Sequence, residues 1–212
     1  RVTTRKDLNI TKPEELRGKR IANLVGSSVG NDFDDIVMPH FGIHKGDFQE
    51  VRMDVTNMVA ALSAKTVDAM VNVEPYNVIA VSDGIGNDLL NFSPFDPMPV
   101  FMAATADMVE KRPDVIVAYL KAWLDAAKDF KNDRKKVNDT IYAFYASKGY
   151  KMSTDTFSTA LDRVEVNPGF PDLKSYMQQQ AEILLKNKTI KTITDWSKAL
   201  RPDFMEKAKA GA

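Results

Sequence analysis

The chain has 212 residues, 44% of them apolar, enough to build the packed core of one large or two small domains. Its 29 Lys and Arg balance 29 Asp and Glu, so no net field selects for nucleic acid, an anionic membrane surface or an acidic substrate. Having no cysteine, it has no disulfide or thiolate chemistry, and no apolar run approaches the roughly 20 residues that cross a bilayer.

The first stretch, RVTTRKDL, has no apolar leader core, so an export signal, if there is one, is expected to have been removed. From residue 11 to about 92, short apolar runs alternate with helical segments, the pattern of βα units on a largely parallel sheet. In TKPEEL, Thr11 and Glu14 read as a capping box with Pro13 in the first turn and Gly18 closing a short helix. RIANLV reads as a buried strand. Val29, Phe33, Ile36, Val37 and Phe41 then recur at helical spacing until Gly42. Val51, Met53 and Val55 alternate as a half-buried strand, and Thr56 is the expected N-cap of NMVAALSA. VDAMVNV is a further strand, Glu74 and Pro75 open a helix over PYNVIAVSDG, and DLLNF is the last strand of the group.

The segment SPFDPMPV, with three prolines in eight residues, connects two bodies. VFMAATA is expected to add a strand. Beyond it Ile116, Tyr119, Leu120, Trp123, Ala127 and Phe130 mark an amphipathic helix over 113–130. More helices are expected at 134–148, 154–164, 172–186 and 195–208, the last broken at Pro202. The first half is therefore α/β and the second mainly α, with no internal repeat.

Candidate chemistry is concentrated in the turns that follow strands. GSSVG, from Gly26, has neither the Lys of a nucleoside triphosphate loop nor the three glycines of a dinucleotide fingerprint. It places Gly26, Ser27 and Ser28 between a strand and a helix N-terminus, where free N–H groups favour an anion; a plain serine cap explains the same residues. NVEPYN puts Asn72, Glu74 and Tyr76 at the carboxyl end of a strand, where open α/β sheets gather ligands, although Glu74 also suits a helix start. Thr56 and Asn57 stand at the equivalent edge after the preceding strand. His40 and His44 lack the pattern of a zinc protease motif and are assigned to packing or surface, and no Ser, Asp or Glu arrangement argues for catalysis. No metal and no cofactor is expected. KNDRKK reads as a solvated helix start, and no nucleic acid is expected as a partner.

In order, ELRGKRIA, the GSS turn, AALSAKTVDA, the EP turn of NVEPYN and PDVIVAYLKAWLDAA resemble the substrate-binding proteins of the nitrate, sulfonate and taurine ABC importers, the NMT1/SsuA-like group. Lys65 stands where that family usually has Gly. The resemblance implies a two-lobed, type II periplasmic-binding-protein fold that closes over a small ligand. It implies an α/β lobe over 13–94, crossings at 1–12 and 95–105, and a helical part of the other lobe over 106–212. It carries the anion-contacting role to Gly26, Ser27 and Ser28, with Thr56, Asn57, Asn72, Glu74 and Tyr76 facing the cleft.

The implied function is non-catalytic capture of a small anionic or zwitterionic solute and its delivery to an ABC permease, in a periplasmic or membrane-tethered extracellular setting. Family chains begin with a βαβ region, and this chain is expected to start after it, either as a fragment or because the first portion lies outside the numbered chain. Alone it is expected to bind weakly or not at all, or to associate, and the complete protein to be monomeric. Without that region, Ile116, Trp123 and Phe130 are expected to present an apolar face lacking a partner. The alternatives are a thiamine-pyrimidine binding or synthesis protein, whose cysteine motif is absent, and a ligand-sensing receptor domain.

Overall fold

Five short strands form one sheet in a computed structural model of the chain, which describes residues 1–169 and 172–211. They are β1 (Val2–Arg5), β2 (Arg20–Asn23), β3 (Gln49–Arg52), β4 (Ala69–Val71) and β5 (Gly86–Leu90), in the order β3-β2-β4-β1-β5. β2 runs parallel to β3 and β4, whereas β1 is antiparallel to both its neighbours, β4 and β5. The expected parallel sheet is thus present, with one strand, β1, running against the rest.

Successive strand residues point to opposite faces, and here both faces are covered. Ile21, Ala69 and Val71 pack with Val29, Phe33, Val37, Met38 and Ile43 on one side. Ala22 and Met70 pack with Met58, Ala61, Leu62 and Ala80 on the other. The first side is the face of a continuous helical run: α1 (Ser28–Asp32), a π-helical turn (Phe33–Val37) and α2 (Met38–His40), ended by Gly42 at φ +67°. Phe33 anchors it, 5.4 Å edge-on to Phe48 and 6.3 Å from Phe92. The second side is built by α3 (Val55–Ser63) and α4 (Tyr76–Ser82). His40 packs edge-on against Phe41 and Phe95, a packing role as expected.

Local departures from the sequence reading have physical causes. The capping carboxylate at Pro13–Leu16 is Glu15, not Glu14: its Oε2 accepts from the N–H groups of Thr11 (2.8 Å) and Lys12 (2.9 Å), because the turn is a tight 3-10 helix whose N-cap is Lys12. Asp54, not Thr56, is the N-cap of α3, which starts at Val55. β5 begins at Gly86 rather than Asp88, since it pairs along β1 as far as Arg5↔Gly86. A Cβ on Gly86 would stand 2.6 Å from Thr3 Cγ2, so glycine permits that close pairing. Residues 101–105 form no strand and lead into α5 (Ala106–Lys111), capped by Thr105. Lys65 adopts φ +60°, the conformation a glycine takes most readily, with its Nζ 3.0 Å from Asp7.

The chain divides into two units, Arg1–Met98 with Ile141–Val164, and Pro99–Thr140 with Glu165–Ala212. Ile141–Val164, which lies within the stretch assigned from sequence to the helical part, therefore groups with the sheet and contributes α8 (Thr154–Asp162). The helix α7 (Arg134–Ser147) runs through the division. The second unit holds α5, α6 (Pro113–Asn132), α9 (Leu173–Lys186), α10 (Trp196–Ala199) and α11 (Pro202–Ala210). Its core joins Leu120 and Leu124 of α6 to Phe204 and Ala208 of α11, with Ile116 and Trp123 packed against them. The face expected to lack a partner thus has one, and Phe130 lies under the Arg134 guanidinium at 3.6 Å. The break at Pro202 separates α10 from α11 as expected. No helix among the described residues is long and apolar enough to cross a membrane.

Candidate ligand-binding site

β2, β3 and β4 run parallel and end at one edge of the sheet, and β1, antiparallel, begins there. The segments after Asn23, Arg52 and Val71 are thereby brought to the same edge as Arg1, the position at which open α/β sheets hold ligands.

After β2 the chain turns through Gly26 at φ +86°, a left-handed conformation for which glycine is suited. Ser27 is the N-cap of α1: its Oγ accepts from the Gly30 N–H (3.1 Å) and donates to the Leu24 carbonyl (2.7 Å). Ser27 therefore engages its hydroxyl within the turn as a helix cap, one of the two readings that the sequence left open for these serines. Ser28, the first residue of α1, is exposed, and its hydroxyl makes no hydrogen bond among the described residues. Free N–H groups of the first helical turn accompany it. Gly30 was not singled out from sequence, although it is the second glycine of GSSVG. A Cβ there would meet the Leu24 carbonyl oxygen at 2.5 Å and Asn23 Oδ1 at 2.9 Å, so its absence lets the helix start directly against the end of β2.

After β4, Asn72 is fully buried and internally satisfied. Its Nδ2 donates to the Val55 carbonyl (3.0 Å), its Oδ1 accepts from the Val73 N–H (2.8 Å), and its carbonyl accepts from Asn77 Nδ2 (2.9 Å). Thr3 Oγ1 donates to Asn77 Oδ1 (2.9 Å), which ties β1 into the same network. Asn72 thus joins β4 to the start of α3 rather than offering a side chain to solvent. Glu74 is the better exposed polar group, yet it too is engaged. Its Oε1 accepts from Arg163 Nη1 (2.8 Å) and lies 3.5 Å from Arg1 Nε, while Oε2 accepts from the Val78 N–H of α4 (3.2 Å). Tyr76 is half-buried and its hydroxyl is unbonded among the described residues. Thr56 and Asn57 are exposed in the first turn of α3.

The structure adds residues that no spacing signals. Asp88 of β5 accepts from Arg1 Nη1 (2.8 Å) and stands 3.1 Å from Arg163 Nη1. Arg163 is 89 positions from Glu74, so only tertiary packing brings them together. Beneath the edge, Asp32 is buried on α1 with Oδ2 unpartnered among the described residues. Burial, and then the neighbouring Asp96, pushes its carboxyl up to about 7. Burial also raises Asp34, to about 6, against the pull of Lys45 Nζ at 2.9 Å. Among the described residues no three His, Cys, Asp or Glu side chains group to hold a metal ion.

The edge therefore offers hydroxyl and N–H donors at Ser28 and Tyr76 and two guanidinium groups: chemistry suited to recognising a small acidic solute.

A sequence model of the family described as NMT1/THI5 like matches residues 1–136. No curated protein sequence matches the chain. Among solved structures, the fold is similar to the periplasmic aliphatic sulphonate binding protein SsuA of Escherichia coli (TM-score 0.81, 18% identity), over 94% of this chain and 64% of that one. It is similar to the periplasmic sulfonate-binding protein SsuA of Methylobacillus flagellatus KT (TM-score 0.78, 21% identity), over 99% of this chain and 65% of that one. The chain thus spans slightly less than two thirds of the length of these two proteins. The desulfurization enzyme DszB, solved as a mutant in complex with biphenyl-2-sulfinic acid, shares the fold (TM-score 0.72, 14% identity) over 100% of this chain and 76% of its own.

Proposed function

The chain belongs to the NMT1/THI5-like family, and from that premise we propose that it is the substrate-binding component of an ABC importer. It captures a small anionic or zwitterionic solute, with sulfonates the first candidates, and delivers it to a membrane permease, as a periplasmic or membrane-tethered protein. The likeness to the two SsuA proteins supports this reading and favours sulfonate over nitrate. In it, residues 13–94 form one lobe, 1–12 and 95–105 are its crossings, and 106–212, apart from Ile141–Val164, belong to the other.

One observation carries the reading: the exposed Gly26–Ser28 turn after β2 and the Glu74–Tyr76 turn after β4 lie at one carboxyl edge of parallel strands. The anion sits at the turn on Ser28 and the free N–H groups, with Gly26 allowing close approach and Ser27 holding the turn in shape. Tyr76 contacts the remainder of the solute, Thr56 and Asn57 flank it, and Asn72 and Glu74 position these groups.

The test is calorimetric titration with taurine, alkyl and aryl sulfonates, nitrate and a thiamine-type pyrimidine. Saturable binding of a sulfonate, unaccompanied by conversion, is the expected result. Preference for the pyrimidine would move the chain to the thiamine alternative.

The likeness to DszB favours a second reading, an enzyme on the same fold. Incubation with biphenyl-2-sulfinic acid, followed by chromatography, separates the two: consumption of the compound would replace capture by catalysis.

A further inference from the structure

Two arginines far apart in sequence meet two carboxylates where the candidate site lies. Arg1 Nη1 is 2.8 Å from Asp88 Oδ2 and Arg1 Nε is 3.5 Å from Glu74 Oε1. Arg163 Nη1 reaches both acids, at 2.8 Å from Glu74 Oε1 and 3.1 Å from Asp88 Oδ2. The four side chains are 17–25% exposed, sheltered enough for their charges to be weakly screened and open enough for a solute to reach them. The cluster as it stands is neutral.

Its hydrogen-bonding capacity is not used up. A guanidinium carries five N–H donors in a fixed fork. Arg163 turns only Nη1 to the acids, and Arg1 only Nη1 and Nε, so Arg163 Nε and Nη2 and Arg1 Nη2 remain without acceptors among the described residues. Each guanidinium meets one oxygen from each of the two acids, so neither makes the two-oxygen fork that Arg makes with a single oxyanion. Glu74 moreover shares its other oxygen with the Val78 N–H, so it cannot turn both oxygens to Arg163 without releasing α4.

We propose that Arg163, with Arg1, determines the specificity of the ligand site: the two guanidiniums receive the sulfonate or carboxylate of the solute, and Glu74 and Asp88 are the resident counter-ions that hold them in position. The proposal rests on the reading of this edge as a site for an acidic solute, and it moves the acidic group from the Gly26–Ser28 turn to the guanidiniums beside Glu74, leaving the turn to the solute's other polar atoms. It also fixes the sign of the effect of Glu74 on binding. If Glu74 gripped an amine or hydroxyl of the solute, neutralising it would weaken binding. As a counter-ion it competes with the solute's anion for Arg163, so neutralising it strengthens binding.

The experiment is calorimetric titration of 1-butanesulfonate into the full chain and into Arg163→Gln, Arg163→Lys, Glu74→Gln and Asp88→Asn. Arg163→Gln is expected to weaken binding at least tenfold. Arg163→Lys, which keeps the charge but not the fork, should fall between it and the unaltered chain. Glu74→Gln and Asp88→Asn should each tighten binding about threefold or more, and circular dichroism with thermal melting reports whether each variant is folded. Should Glu74→Gln fail to fold, Asp88→Asn carries the same sign. Unchanged affinity in Arg163→Gln, or weaker binding in both neutralised-acid variants, overturns the proposal while leaving solute capture standing. If the unaltered chain binds neither butanesulfonate nor any other sulfonate or carboxylate, the capture of an acidic solute fails and this assignment fails with it.

Discussion

The Ser27 hydroxyl donates to the Leu24 carbonyl at 2.7 Å, closing the turn that joins β2 to α1. The same oxygen accepts from the Gly30 N–H, so Ser27 shapes the turn while its neighbour Ser28 is left exposed. Two adjacent serines thereby acquire different roles, which substitution separates. Ser27→Ala removes a helix cap and is expected to cost about 1 kcal/mol in urea unfolding. Ser28→Ala should change stability by less than about 0.5 kcal/mol, yet weaken binding of the anionic solute severalfold. If the double variant binds as tightly as the unaltered chain, the turn is no part of the site.

Gly30 is held by close approach rather than by its backbone angle. A Cβ would sit 2.5 Å from the Leu24 carbonyl oxygen, a backbone atom that cannot swing aside. Gly30→Ala must push α1 off the end of β2, at an expected loss of about 1–3 kcal/mol. Because α1 carries Ser28, the shift should also lower solute affinity, measured by calorimetry in a variant still folded by circular dichroism.

Thr3 and Asn77 form a buried hydrogen bond at 2.9 Å that links β1 to the network around Asn72. Thr3→Val keeps the shape and removes the donor, leaving the Asn77 oxygen buried without it. Equilibrium unfolding should register a loss of about 1–3 kcal/mol. A neutral result would mean that Asn77 finds another donor, and that the network tolerates the loss of its tie to β1.

Asp32 makes stability depend on pH in a direction opposite to that of a salt-bridged carboxylate. Burial raises its folded pKa to about 7 from an ordinary 3.8, so between these values the folded chain holds a proton that the unfolded chain has released. Stability contributed by this group is therefore fully present at acid pH and falls as pH rises through that window. Asp34, raised to about 6, acts in the same sense. Asp32→Asn should flatten the fall and raise stability at ~pH 8, by about 4 kcal/mol at most, read as a higher thermal midpoint. A midpoint that drops at ~pH 8 in this variant would show that the ionised carboxylate is stabilised by its surroundings.

Much of the sheet unit was legible along the chain because its causes are local. The apolar runs around Ile21–Ala22 and Ala69–Val71 read as strands, the first of them buried, and both are buried strands. The spacing from Val29 to Phe41 read as a helix, and Gly42 as its stop. Errors arose where a neighbour in space set the boundary. β5 starts at Gly86 because β1 lies beside it. Ile116 and Trp123 are covered by α11, some 80 residues on, a partner that helical periodicity in α6 cannot announce. The π-helical turn at Phe33–Val37 likewise has no mark in the spacing of its apolar residues.

The amino-acid sequence by itself determined the βα pattern, the turns at which polar residues gather and the family to which the chain belongs, since these depend on residues near one another in the chain. Tertiary structure alone decided what those polar residues do. Hydrogen bonds and ion pairs are short-ranged and indifferent to sequence separation, so the commitment of Asn72 to Val55, and of Glu74 to Arg1 and Arg163, came into being only when distant segments met at one edge of the sheet, whereas the bond of Ser27 to Leu24 stays within one turn of the chain.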